Sequence, residues 1–387
     1  MYLFDQTERN DASPKLAIES TFDFLNRSSA EAIQNVRALL EALISDHPEA
    51  EEMISRFRSG DDRHFRSAEF ELFLFSSLTA NGFQLESHPV MPSGVSTRPD
   101  FRVTTPSGSS FYLEAVVATE HSSGMTQHRL VATTLDVFTT NSHQNFCLSV
   151  RSSGTPKTQP SRRKLIKATK RWLDGLDPDQ VQQEISSSGY GAAPKYSWKH
   201  EDFSVDLKAM PLRRERRGKA TRLLAIQHGT PGVVDSWSSI RDALLFKGRR
   251  YGELDAPLVI AVNSINHHLD RKDEMQALFG QEQFSFSASD PDAEPTFTRA
   301  PNGAWLGKNG PQLTRASGAW IFSNFSTYTV NRADPTLYLN PWASLSVPEE
   351  MKIYTHACES ENGTIDWHKR ALFGHSLGLS ETWPSHN

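Results

Sequence analysis

The sequence predicts an α/β fold, a mixed β-sheet core flanked by helices with a helical N-terminal extension and a mixed α/β C-terminal one. Three observations carry this. The stretch 65–80 has helical periodicity and runs into three short apolar or alternating segments at 83–90, 101–105 and 110–118, punctuated by Pro-Ser-Gly at 92–94 and 106–108. The run 257–262 is continuously apolar, as a strand covered on both faces would be. Glu71, Asp100 and Glu114 fall in turn on the helix, at the start of the second strand and inside the third.

The elements follow in chain order. Ser13-Pro14 starts a first helix, Ser28 with Glu31 makes a capping box for a second ending near Asp46, and Pro48 opens a third, so 1–64 is a helical N-terminal region. The helix 65–80 ends at Gly82, a C-cap glycine. After the three strands, 125–140 reads as a helix and 145–150 as a buried strand, which closes a core over 65–155. Residues 156–280 form an α/β extension packing on that core. It holds a basic helix at 161–176, a Ser/Gly-rich connection at 186–195, strands at 203–210 and 223–227, an amphipathic helix at 237–251 and the strand 257–262. A C-terminal mixed region, 281–387, begins with a Ser/Asp/Pro-rich loop over 281–303 and includes a strand near 318–325.

The carboxylates are the chemical signal. Adjacent strands lie about 4.8 Å apart, so Asp100 and Glu114 on neighbouring strands can share one divalent cation, Mg²⁺ or Mn²⁺. Glu114 sits among Phe111, Leu113, Val116 and Val117, where a Glu is disfavoured without a partner. Glu71 lines up with Leu74, Phe75 and Leu78, so it points inward and must be ligated, ion-paired or functional; a structural arginine would satisfy it equally. Glu69 is the runner-up for its role. Asp100 after Pro99 also reads as a plain turn residue. His88, His121 and His128 are near in sequence, and His121 is a candidate base or extra ligand; each alone reads more simply as a polar residue.

Composition limits the remaining classes. The formal net charge of −5 argues against a generally basic nucleic-acid coat, yet Arg162, Arg163, Lys164, Lys167, Lys170 and Arg171 share one helix. Arg213, Arg214, Arg216, Arg217 and Lys219 crowd one loop. These are either phosphate contacts or solvated surface. Two cysteines far apart, Cys147 and Cys358, fit a reducing cytoplasm. Neither an export leader nor an 18-residue apolar run is visible, and no GxSxG, P-loop or GxGxxG stands in the chain.

Pro99-Asp100 followed by Glu114, with the Glu71 helix ahead of them, resembles the PD-(D/E)xK or restriction-endonuclease-like nuclease superfamily. The chain departs from it where the motif lysine should stand, at Val116. The resemblance implies a restriction-endonuclease-like core, metal held by Asp100 and Glu114 with Glu71 assisting, and metal-dependent hydrolysis of DNA. A place in prokaryotic defence, with protein partners of such a system, follows by analogy. Lys247, on the 237–251 helix with Tyr251 one turn on, is the candidate to replace the lysine, and Lys208 is the second; both also read as surface lysines. The longer string, with His88-Pro89, Tyr251-Gly252 and Asn340-Pro341, is similar to a group of bacterial proteins without a settled substrate. The alternatives are a catalytically inactive nucleic-acid-binding or scaffold protein on the same fold, and an RNA-directed nuclease.

Overall fold

The computed structural model describes residues 2–92, 94–119, 125–228, 236–266, 269–285, 296–360 and 364–385. The chain is α/β and divides into two units. One comprises Met1–Ala12, Thr21–His121 and Val234–Asn387, the other Ser13–Ser20 and Ser122–Val233.

The first unit is built on an eight-stranded mixed sheet. Strand Phe101–Thr104 pairs antiparallel with Gln84–Ser87 on one side and Ser110–Ala118 on the other, in a register that sets Phe101 opposite Leu113. Ser110–Ala118 then runs parallel to Leu258–Ser264, with Glu114 beside Ile260 and Val116 beside Val262. Leu258–Ser264 runs parallel to Ala316–Ser323, and Thr336–Leu339, His356–Glu359 and Ile365–His368 complete the sheet. Every residue of Leu258–Ser264 is buried, which is why its sequence carries no polar alternation.

Alternate side chains feed two cores. Phe101, Leu113, Ala115, Val259 and Trp320 pack on the face covered by the N-terminal helices. Tyr112, Ile260, Val262 and Ile321 pack on the other, with Ile240 and Leu244 from helix Ser236–Gly248. Helix Asp62–Ala80 starts three residues earlier than its apolar pattern suggests, because the Asp61 side chain caps it by accepting from the Arg63 N–H at 2.8 Å. It ends as expected: Gly82 takes φ +84° and donates its N–H to Thr79.

Several expectations are corrected. Phe146–Ser153 does not complete the sheet that holds Glu114. It lies in a separate four-stranded sheet of the second unit, antiparallel to Phe203–Pro211 and parallel to Leu224–His228. Its pattern explains this, because Arg151 is exposed while Leu148 and Val150 are buried; such a strand suits a one-sided sheet. Leu258–Ser264 takes the central place instead, so the span 65–155 is not one closed core. Ser28 and Glu31 form no capping box: helix Glu31–Ser45 has Ala30 at its N-cap without a side-chain bond. Within the expected 281–303 loop, Glu282–Ser285 and Thr296–Arg299 form an antiparallel pair, and 286–295 lies outside the described residues. Among the described residues no helix is long and apolar enough to cross a membrane.

Candidate active site

Register builds the site. Since Phe101 faces Leu113, Asp100 arrives one residue earlier beside Glu114, and its Oδ2 accepts the Ala115 N–H at 2.6 Å. Glu114 is 1% exposed, on the face covered by helix Ser236–Gly248. A carboxylate so buried requires partners, and it has two: the Lys247 ammonium donates to Oε1 and the Tyr251 hydroxyl to Oε2. Burial and the neighbouring Glu114 push the Tyr251 hydroxyl far above its ordinary value, so it remains a donor.

Glu71 is also buried, and it is held by Arg56 through two bonds of 2.5 Å and by the Ser67 hydroxyl at 3.1 Å. The structural-arginine reading is therefore correct for Glu71 as far as its direct partners go. Burial is the largest single influence and disfavours the Arg56 cation, but the bond and charge of Glu71, with the charges of Glu52 and Asp100, together raise its pKa. Asp100 completes the group. Burial first, then Glu114 and Glu71, lift its pKa well above the usual carboxylate range, against opposition from the Ala115 N–H and Lys247. Glu71, Asp100 and Glu114 thus interact electrostatically, and two of the three have a cationic partner in direct contact.

Lys247 opens onto solvent on its other side. It lines a cleft of about 500 Å³ together with Val116, Thr119, Arg63, His64 and Arg66. The two positions from which a lysine could serve the site therefore share one cleft. The arginines and histidine come from the first two turns of helix Asp62–Ala80, a basic group with no clear signature in the sequence because it is spread among acidic neighbours.

The other candidates fall elsewhere. Glu69 is buried and accepts from the N–H and hydroxyl of Thr327; burial raises its pKa despite those bonds, and its partners tie it to the loop after the Ala316–Ser323 strand. Lys208 is on a strand of the second unit's sheet, not that of Glu114. His121 and the side chain of His128 lie outside the described residues. Arg162, Arg163, Lys164 and Lys167 are on helix Arg162–Asp174, with Arg163, Lys164 and Lys167 exposed. Arg213, Arg216 and Lys219 are exposed, whereas Arg214 and Arg217 both bind Asp179, at 3.0 and 2.9 Å, and Arg217 also holds the Leu212 carbonyl. Both clusters belong to the second unit.

A second carboxylate group includes His88. Glu49, Glu52 and His88 each offer one ligand atom, all within 4.8 Å of one another, and this group could hold a metal ion. The His88 N–H donates to the Asp100 carbonyl at 2.9 Å, so its backbone is tied to the start of the Asp100 strand. Glu49 and Glu52 are not legible as ligands, because Glu49, at the N-cap of helix Ala50–Phe57, and Glu52, inside it, meet His88 only through the fold. His47, next to them, is buried; that burial lowers its pKa to about 4 and keeps it neutral near pH 7.

No protein-family model matches the chain, and neither a curated protein nor a solved structure does.

Proposed function

We propose that the protein is a Mg²⁺- or Mn²⁺-dependent DNA endonuclease of the restriction-endonuclease-like type, acting in the cytoplasm of a prokaryote in defence against foreign DNA. One observation carries the reading: Lys247 contacts Glu114 and lines the same cleft as Val116, where the motif lysine would stand. In this reading a lysine from helix Ser236–Gly248 does the work of the one missing from the Glu114 strand.

The donor set fits a hard divalent cation. Asp100 and Glu114 would be the oxygen ligands, with Glu71 adding charge beside them; burial first and then Glu114 and Glu71 lift Asp100, and a cation would relieve the repulsive part. When bound there, the ion polarises a scissile phosphate and acidifies a water. The chain's own residues do the rest. Lys247 would set a positive charge against the charge developing on phosphorus, and Arg63, His64 and Arg66 would hold flanking phosphates in the cleft. Arg162, Arg163, Lys164, Lys167, Arg213, Arg216 and Lys219 of the second unit offer further phosphate contacts.

A second reading has its own support. Glu114 is already satisfied by Lys247 and Tyr251, and Glu71 by Arg56, which is also what a nucleic-acid-binding protein without catalysis would retain. Purified protein incubated with plasmid, linear and single-stranded DNA and with RNA, in Mg²⁺, Mn²⁺ or EDTA, decides between them. The endonuclease reading expects metal-dependent nicking or cutting of DNA that EDTA stops and that Asp100→Ala lacks. Binding without cleavage in either metal favours the scaffold, and cleavage of RNA alone redirects the substrate.

A further inference from the structure

The four-stranded sheet of the second unit covers one face with Leu148, Val150, Val205 and Leu207 and leaves most of the other open, with Ser149 buried in its floor. Cross-strand register arranges the open face in two rows. Lys195 stands opposite Lys208, which stands opposite Ser149; Ser197 stands opposite Asp206, which stands opposite Arg151. Tyr190, from the turn after helix Pro178–Ser188, closes one side, and together these residues line a cavity of about 410 Å³.

Two features of this cavity do not serve the fold. Like charges directly opposite on neighbouring strands destabilise a sheet, yet Lys195 faces Lys208. Arg151 faces Asp206, but no ion pair joins them among the described residues, and Asp206 instead accepts from the Ser197 hydroxyl. Two lysines and an arginine against one carboxylate leave an excess of positive charge in a concave site of ligand size. Tyr190 is 42% exposed and has the Lys208 ammonium 4.7 Å from its ring centroid. An aromatic face beside cations is the chemistry that receives a base and its phosphate.

We propose that this face binds a nucleoside phosphate, with the base on Tyr190, the phosphate on Lys195, Lys208 and Arg151, and the sugar hydroxyls toward Asp206 and Ser197. A nucleotide suits it better than a strand, because single-stranded chains need successive aromatic platforms and the cavity lining holds Tyr190 beside the sheet's own Tyr196, which stacks on Trp172 instead. The site shares no residue with the Glu114 cleft, so it stands or falls apart from the endonuclease reading.

Titration calorimetry on the full chain tests this with ATP, AMP, adenosine, inorganic phosphate and a single-stranded oligonucleotide. ATP and AMP are expected to bind and adenosine to bind at least about tenfold more weakly. Lys195→Ala/Lys208→Ala should weaken ATP binding by roughly 100-fold. Tyr190→Ala should weaken it about tenfold while leaving inorganic phosphate unchanged. Asp100→Ala should bind ATP as the wild type does, which locates the site. Tyr190, Lys195 and Lys208 lie at the surface or half-buried, and equal melting temperatures confirm that their variants fold. No ATP or AMP binding at millimolar concentration, or unchanged affinity in the double lysine variant, overturns the proposal. So does indifference of ATP to Tyr190→Ala, or an oligonucleotide that binds this face more tightly than ATP.

Discussion

Lys247 donates to Glu114 across a sequence separation of 133 residues, from a helix that follows the whole second unit. The pairing gives a buried carboxylate a cation without placing that cation on its own strand. Val116, two residues after Glu114, lines the same cleft as Lys247, so a positive charge placed at either position would reach one space.

Lys247→Met is expected to lower metal-dependent turnover by roughly 100-fold, the usual scale for losing one electrostatic stabiliser, with little change in DNA affinity. Val116→Lys in the Lys247→Met background should restore part of the lost rate, because position 116 opens on the same cleft. Turnover that is unaffected by Lys247→Met would remove the lysine from the reaction.

Asp100→Asn and Glu114→Ala should each abolish cleavage, but their stabilities should diverge. Asp100 carries a raised pKa from burial and from Glu114 and Glu71, so its folded state is destabilised once pH exceeds the ordinary carboxylate value; Asp100→Asn should melt at or above the wild-type temperature at pH 7. Glu114→Ala removes the acceptor that the Tyr251 hydroxyl uses at a position where the residue is 2% exposed, while Lys247 can still reach water. A loss of about 1 kcal/mol is expected, the scale for removing one buried hydrogen bond. Thermal melts of the two variants at pH 7 check the sign of each change.

The Asp100–Glu114 pair was legible because both carboxylates belong to consecutive strands, where local punctuation sets the register. Lys247 was legible only as one lysine on an amphipathic helix; its pairing with Glu114 depends on Leu258–Ser264 entering the sheet beside Ser110–Ala118, a parallel arrangement that no turn encodes. The same long-range pairing explains the misplacement of Phe146–Ser153, whose apolar core residues resemble those of a central strand when read without its exposed Arg151. Glu71 reads as buried from its apolar stripe, but its arginine partner, Arg56, stands on another helix that no local pattern connects to it.

The basic groups should separate by function. Arg63→Ala/Arg66→Ala is expected to weaken DNA binding uniformly across sequences and to flatten the salt dependence by about 0.9 for each phosphate no longer neutralised. Arg213→Ala/Arg216→Ala should act in the same direction if the second unit also binds phosphates. Arg217→Ala should instead lower the stability of that unit, since Arg217 braces Asp179 and the Leu212 carbonyl. Salt titrations of affinity beside melting curves distinguish the two outcomes. A salt slope unchanged in all of these variants would leave both clusters as solvated surface.

Glu274 supplies a pH dependence that is independent of the cleft. It is 8% exposed on helix Arg271–Phe279 and accepts from the Tyr338 hydroxyl, and burial raises its pKa to about 7 in spite of that bond. The unfolded chain binds this proton only below about pH 4.3, so between that value and pH 7 the folded state holds more protons than the unfolded one. Stability must therefore fall as pH rises through this window and level off above it. The ceiling on this one group's effect is about 4 kcal/mol, at about 1.36 kcal/mol for each pH unit of difference. Glu274→Gln keeps an acceptor for Tyr338 but cannot ionise, and denaturant unfolding at pH 5 and pH 8 should show a smaller drop in the variant than in the wild type. An equal drop in both would place the pH dependence on other groups, Asp100 first among them.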